Sequence, residues 1–176
     1  MPRLPELFDR DALAEGDRDA HDYLVTTRGR VSNGFAPFLH SPEVVRRVSH
    51  LGTFMRFDSS VPAKMRELLA LTASSELDNA YERTIHAGDA VKQGASQAAV
   101  DAAVKKASLD GLPEDEALAI TVAREIVGGN HHLSDATFQK LHGLVGDQTF
   151  VEVISTVGYY SMLAYNHNAM EVTLPS

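Results

Sequence analysis

At 176 residues, 44% of them hydrophobic and 23% charged, the chain fits one globular domain able to bury its own core. Sixteen Lys and Arg against 24 Asp and Glu give a formal charge of -8. That balance excludes nucleic acid or an anionic membrane surface as the expected main partner, because both need clustered cations, but a small anionic substrate needs only a local one. The absence of cysteine excludes disulfides, thiol catalysis, thiolate metal sites and iron–sulfur clusters.

Helix punctuation then recurs along the chain. Ala12 to Thr27 has the pattern of an amphipathic helix, Gly29 to Gly34 reads as a loop, and Phe35 to His40 as an apolar turn. These N-terminal forty residues either form an arm that packs on a partner subunit or close the chain's own core. Ser41-Pro42-Glu43 has the order of an N-cap, a first-turn proline and a first-turn acid, with Val44, Val48, Leu51 and Met55 as the apolar stripe behind it. Ser60 with Pro62 opens a second helix carrying Val61, Met65, Leu68, Leu69 and Leu71. A third runs from about Leu77 to Lys92 and stops at Gly94. Ser96 caps a short alanine-rich helix with Val100 and Val104 inward.

Pro113 to Glu116 starts the next helix and Gly128-Gly129 ends it. Ser134-Asp135 begins another, with Phe138, Leu141 and Val145 inward and Gly146 as its stop. Asp147 caps the last, whose Phe150, Val153, Ile154, Val157, Ser161 and Ala164 share a face. Val151 to Ile154 alone has strand character, inside this longer helical period. The expectation is a single all-α domain over 1–176 with an N-terminal helical extension of about 1–40. The first residues, Met1-Pro2-Arg3-Leu4-Pro5-Glu6, lack an apolar leader core. No window approaches the roughly 18 apolar residues of a membrane span, so the expected location is cytoplasmic.

Chemistry concentrates between Arg66 and His86. Glu82 and His86 lie one helical turn apart and therefore on one face, where a carboxylate raises and orients an imidazole for acid–base work. Glu67 sits among Leu and Ala, and a carboxylate facing inward there requires a partner. The competing reading of such a Glu–His pair is a solvated surface pair worth about 0.2–0.5 kcal/mol. His131-His132 reads as a solvated loop pair, and His167 as a group favoured by the negative end of the last helix. The Glu and His spacing is not that of di-iron bundles, and no metal is expected.

The run from Glu67 through His86 resembles the signature helix pair of the carboxymuconolactone decarboxylase and alkyl hydroperoxidase D-like family. The peroxidase branch carries a glutamate, then Cys-x-x-Cys, then a histidine one turn on. Counted from Glu67, the cysteine positions fall on Asn79 and Glu82 and the histidine on His86. The decarboxylase branch has Tyr or Trp, then Glu, then His one turn later, as Tyr81, Glu82 and His86 stand here. The likeness extends from Gly34 through Glu43 to Gly158-Tyr159-Tyr160 and Asn168-Ala169.

The resemblance implies a helical bundle of about six to eight helices, assembled as a dimer, trimer or hexamer. It implies a cofactor-independent lyase acting on a small carboxylated lactone or related aromatic-degradation intermediate. Glu67, Glu82 and His86 would be catalytic, with His86 the proton donor, Glu82 orienting it and Glu67 fixing the network from the facing helix. Tyr81, Arg56, Phe38 and Tyr160 would line the substrate site; Arg30 is a second candidate for holding an anion. Tyr81 is either a site donor or an aromatic filling the gap between helices. Two rivals stand beside this reading. A thiol peroxidase is opposed by the missing cysteines, since no other side chain performs disulfide exchange. A small-molecule-binding or scaffold oligomer without catalysis is the other.

Overall fold

Prolines and serines mark most of the helix starts, as their backbone and capping chemistry favours. The computed structural model describes residues 1–175, and among them there are seven α-helices and no strand. These are α1 (Arg18–Arg28), α2 (Pro42–Thr53), α3 (Ala63–Glu76), α4 (Ala80–Lys92), α5 (Gln97–Lys105), α6 (Glu114–Ala123) and α7 (Asp135–Met170). No helix among the described residues is long and apolar enough to cross a membrane. Two compact units emerge: residues 1–58 together with the chain from 167 onward, and residues 59–166.

In the first unit α1 begins later than its apolar pattern suggests. The stretch before it folds as two 3-10 turns, Arg10–Ala12 and Glu15–Asp17. Asp9 accepts the Asp11 N–H there and diverts the backbone from a longer helix. The helix ends at Gly29, whose φ of 76° suits glycine and whose N–H bonds to the Val25 carbonyl. The buried side of α2 runs through Val45, Val48, Ser49 and Gly52 and continues to Met55 just beyond the helix, whereas Val44 and Leu51 of the expected stripe are exposed. Small Ser49 and Gly52 leave room for the contact with α1, and Arg28 of α1 donates to the Ser49 carbonyl and the Thr53 hydroxyl. Pro42 starts α2 as expected, but Ser41 makes no side-chain cap.

Phe35 to His40 closes the unit's own core. Ala36–His40 forms a 3-10 turn in which Phe38 and Leu39 are 5% and 1% exposed. The edge of the buried His167 ring meets the Phe38 ring, and its Nε2–H donates to the Gly34 carbonyl at 3.1 Å. His167 thus serves packing as well as any helix-end electrostatics.

In the second unit α3 is the central element and packs on α4, α5 and α6. Every residue from Glu67 to Ser75 is buried, the signature of a helix surrounded by protein. Ser74 and Ser75 are tolerated because their hydroxyls donate to the Ala70 and Leu71 carbonyls. Leu68, Leu69, Leu71, Ile120, Leu141 and Val157 are fully buried in the core around it.

One device recurs three times here. A serine before a helix gives both its N–H and its hydroxyl to one glutamate: Ser96 to Glu116 (2.9 and 2.6 Å), Ser60 to Glu152 (2.6 and 2.8 Å) and Ser134 to Glu125 (2.8 and 3.1 Å). Ser96 also caps α5. Ser60 caps nothing; α3 starts after Pro62, and the Ser60 N–H and hydroxyl both go to Glu152. α4 starts at Ala80 rather than near Leu77, since Asp78 takes a left-handed φ of 51° and Asn79 becomes the cap.

α6 passes into a π-helical turn, Arg124–Gly128, and the Gly129 N–H bonds back to the Arg124 carbonyl. The break in α7 falls where the sequence places it. Gly146, at φ 73° and ψ 178°, occupies a region essentially reserved for glycine and separates residues 135–145 from 147–170. Leu141 of the first segment is buried, but Phe138 is 37% exposed and stacks on His142.

Candidate active site

The local reason for the site is the α3–α4 turn. Asn79 accepts the Glu82 N–H at 2.8 Å through its side-chain oxygen, which caps α4, and donates to the Ala164 carbonyl of α7 at 3.3 Å. Glu82 therefore sits in the first turn of α4, where the helix dipole favours a negative charge. One turn further, His86 points its ring between Glu82 on its own helix and Glu67 on α3.

The imidazole is held at both nitrogens. Nδ1 lies 2.6 Å from Glu67 Oε2 and Nε2 lies 3.1 Å from Glu82 Oε2. The three residues are 3%, 5% and 3% exposed for Glu67, Glu82 and His86, so the solvated surface pair is not what the chain builds. Tyr160 of α7 meets the ring edge-on, with centroids 4.5 Å apart at 80°, and Tyr159 stands beside Tyr160. Burial by itself pulls the His86 pKa down, but the hydrogen bonds and charges of Glu67 and Glu82 overcome it and raise the pKa to about 9. At neutral pH the ring is an imidazolium donating from both nitrogens. A neutral ring has one N–H and would face one carboxylate with a lone pair.

Arg66 completes the cluster. Its Nε donates to Glu67 Oε1 at 3.3 Å, and its side chain is 12% exposed. Glu67 thus has a cation on each carboxylate oxygen, Arg66 on Oε1 and His86 on Oε2. Arg66 carries no signal in the sequence beyond its place next to Glu67.

Glu67, Glu82, His86 and Tyr160 come together in the second unit. Tyr81 is buried on α4 beside Glu82, 4% exposed. Phe38 and Arg56 belong to the first unit. Phe38 is part of its core, and Arg56 is exposed on a π-helical turn, Phe54–Asp58, with its guanidinium 5.8 Å from the Phe57 ring. Arg30 is exposed as well. Among the described residues no group of three His, Asp or Glu side chains is arranged to hold a metal ion.

Solved structures share this arrangement of helices. An uncharacterized peroxidase-related protein from Ralstonia eutropha JMP134, with an alkylhydroperoxidase AhpD core, superposes with a TM-score of 0.79 at 15% identity, over 99% of this chain and 92% of that one. A peroxidase-related protein from Silicibacter sp. TM1040 gives 0.73 at 16% identity over 99% and 94%. A variant of the debrominase Bmp8 in complex with 2,3,4-tribromopyrrole gives 0.74 at 17% identity over 100% and 94%. At such identities the likeness is one of fold, and the fold is that of the alkyl hydroperoxidase D-like helical proteins. Residues 42–127, just under half of the chain, also match the model of the Carboxymuconolactone decarboxylase family, which together with the shared fold supports a carboxymuconolactone decarboxylase-like member. No curated protein matches the sequence.

Proposed function

We propose that this chain is a cofactor-independent lyase that decarboxylates a small carboxylated lactone or a related aromatic-degradation intermediate by Glu/His acid–base chemistry. The observation that carries the reading is the buried imidazolium clamped between Glu67 and Glu82. In such a reaction the bond to the carboxylate carbon breaks and carbon dioxide leaves. The electron pair moves into the lactone as a dienolate, and a carbon then takes one proton.

The geometry changes the role expected for His86. Both ring N–H groups are committed to carboxylates, so the ring stores the proton and the carboxyl group of Glu82 or Glu67 delivers it. The ring then takes up a proton from solvent, and the cycle balances.

The test is incubation with carboxymuconolactone in heavy water, following carbon dioxide release and deuterium at carbon. Turnover with one deuterium incorporated is expected, falling about 10²–10⁴-fold in His86→Ala, the range for loss of an acid–base group. The near-complete burial of the three residues favours a second reading, a charge cluster holding together a binding or scaffold protein. Release no faster than the uncatalysed rate in the folded wild type selects that second reading. Association of copies as a dimer, trimer or hexamer is part of either reading. Of the two apolar segments that suggest it, Phe35 to Leu39 packs into the chain's own core, while the long final helix keeps Leu144, Val151 and Tyr165 61%, 62% and 60% exposed. Light scattering at the 19.1 kDa monomer mass would count against it.

A further inference from the structure

We propose that Arg66 is the anion-binding residue of this site and that the group it holds is a carboxylate of the ligand. The inference rests on the reading of the Glu67–His86–Glu82 cluster as a ligand site. It names the residue and the chemistry by which that site selects its ligand.

Two other partly buried arginines of this chain place both terminal nitrogens on protein acceptors. Arg46, 23% exposed, uses Nε, Nη1 and Nη2 on Asp19, Glu43, Asp17 and the Gly16 carbonyl. Arg124, also 23% exposed, places Nη1 and Nη2 on the Ala107 and Ala102 carbonyls. Arg66 is more buried than either, at 12%, yet its one contact is the Nε bond to Glu67. Its Nη1 and Nη2 have no protein partner among the described residues. They are also not among the solvent-inaccessible polar atoms that lack a partner, so the end of the fork touches solvent while its stem is enclosed.

A guanidinium in that setting strongly favours an acceptor, and two parallel N–H groups match a carboxylate in a bidentate pair. The Nε bond fixes the fork to Glu67, which holds His86 Nδ1 at 2.6 Å. A carboxylate seated on Arg66 therefore lies one side chain away from the stored proton. Within these four side chains an imidazolium and a guanidinium stand beside the two carboxylates, which limits the repulsion an incoming anion meets. Arg56 and Arg30 are exposed and belong to the other unit.

The experiment measures binding rather than turnover, by calorimetry on the full chain with a butenolide acetic acid and its methyl ester. The proteins are wild type, Arg66→Lys, Arg66→Met and Arg56→Met, each with its thermal midpoint recorded. Wild type should prefer the acid. Arg66→Met should weaken the acid about 10- to 100-fold, the span for deleting a charge-assisted hydrogen bond, and leave the ester unchanged. Arg66→Lys should recover part of the loss, and Arg56→Met should have no effect. Equal weakening of acid and ester, an effect confined to Arg56→Met, or no preference for the acid in wild type overturns the proposal. Acid preference lost with Arg66 in a protein that releases no carbon dioxide upholds this inference and removes the lyase reading. Turnover retained with acid preference intact in Arg66→Met does the reverse.

Discussion

Glu116 and Glu152 are as deeply buried as Glu67 and Glu82, at 2% and 8% exposed against 3% and 5%, but they are a different kind of carboxylate. Glu116 and Glu152 are bound by a serine N–H and hydroxyl, donors that keep their protons across the ordinary pH range. They fasten the chain before α5 and α3. Glu67 and Glu82 are bound by an imidazole, which changes charge within that range. A buried carboxylate is therefore not a mark of chemistry by itself. The identity of the donor that compensates it separates a fastening from a proton store.

The largest effect that tests this difference is the loss of the imidazole. His86→Ala leaves two buried carboxylates facing each other and should cost about 3–5 kcal/mol in urea denaturation at neutral pH, as removing one partner of a buried ion pair does. Adding Glu67→Gln and Glu82→Gln should restore much of that loss. If His86→Ala is no more damaging than an ordinary surface change, the clamp is not charged.

The next effect appears as pH dependence, with opposite signs for the two kinds of site. His86 has its pKa raised from 6.5 to about 9. Its contribution is thus fully present below about 6.5 and lost as pH rises through 9. The shift corresponds to about 3 kcal/mol. The Gln148 amide and the Ser60 donors hold the Glu152 carboxyl below its ordinary value, so its contribution is present above that value and lost as pH falls through the depressed one. Denaturation midpoints across pH should fall at both ends, with the alkaline fall absent in His86→Gln and the acid fall reduced in Glu152→Gln. In an NMR titration Glu82→Gln should lower the His86 midpoint by about 1–3 units. An unmoved midpoint would show that the pair does not interact.

A smaller effect is expected at the fastenings. Glu116→Ala should cost about 1–3 kcal/mol, the penalty for stranding buried donors, and leave the His86 midpoint where it was. A shifted midpoint would mean that the two carboxylate classes are coupled. The smallest is the cap: Asn79→Ala should cost about 1 kcal/mol by chemical denaturation and spare the Glu67–His86 contact.

The sequence carries these features unevenly, and the reason is distance along the chain. Helical spacing exposes the Glu82–His86 pair, because local geometry alone brings those two together. Glu67 is 19 residues from His86, and only its apolar surroundings and the family resemblance point to it. Glu116 reads as one of three first-turn acids, and its partner Ser96 is 20 residues away; Glu152 is 92 residues from Ser60. Arg66 is indistinguishable from any surface arginine until the packing around it is known. The stop at Gly146 was legible because only glycine suits that backbone. The late starts of α1 and α4 were not, since apolar periodicity continues through residues whose side chains divert the backbone.

By the sequence resemblance, Asn79 and Glu82 fall where a thiol peroxidase branch carries its two cysteines, and here each has other duties. Asn79 caps α4 and reaches the Ala164 carbonyl; Glu82 is half of the carboxylate clamp on His86. A lineage moving between the two chemistries would pass through single replacements that have neither. Asn79→Cys gives up a helix cap for a thiol with no second thiol to pair with, and Glu82→Cys halves the charge that holds the imidazolium. Either single replacement thus removes a bond at the start of α4 without creating a thiol pair.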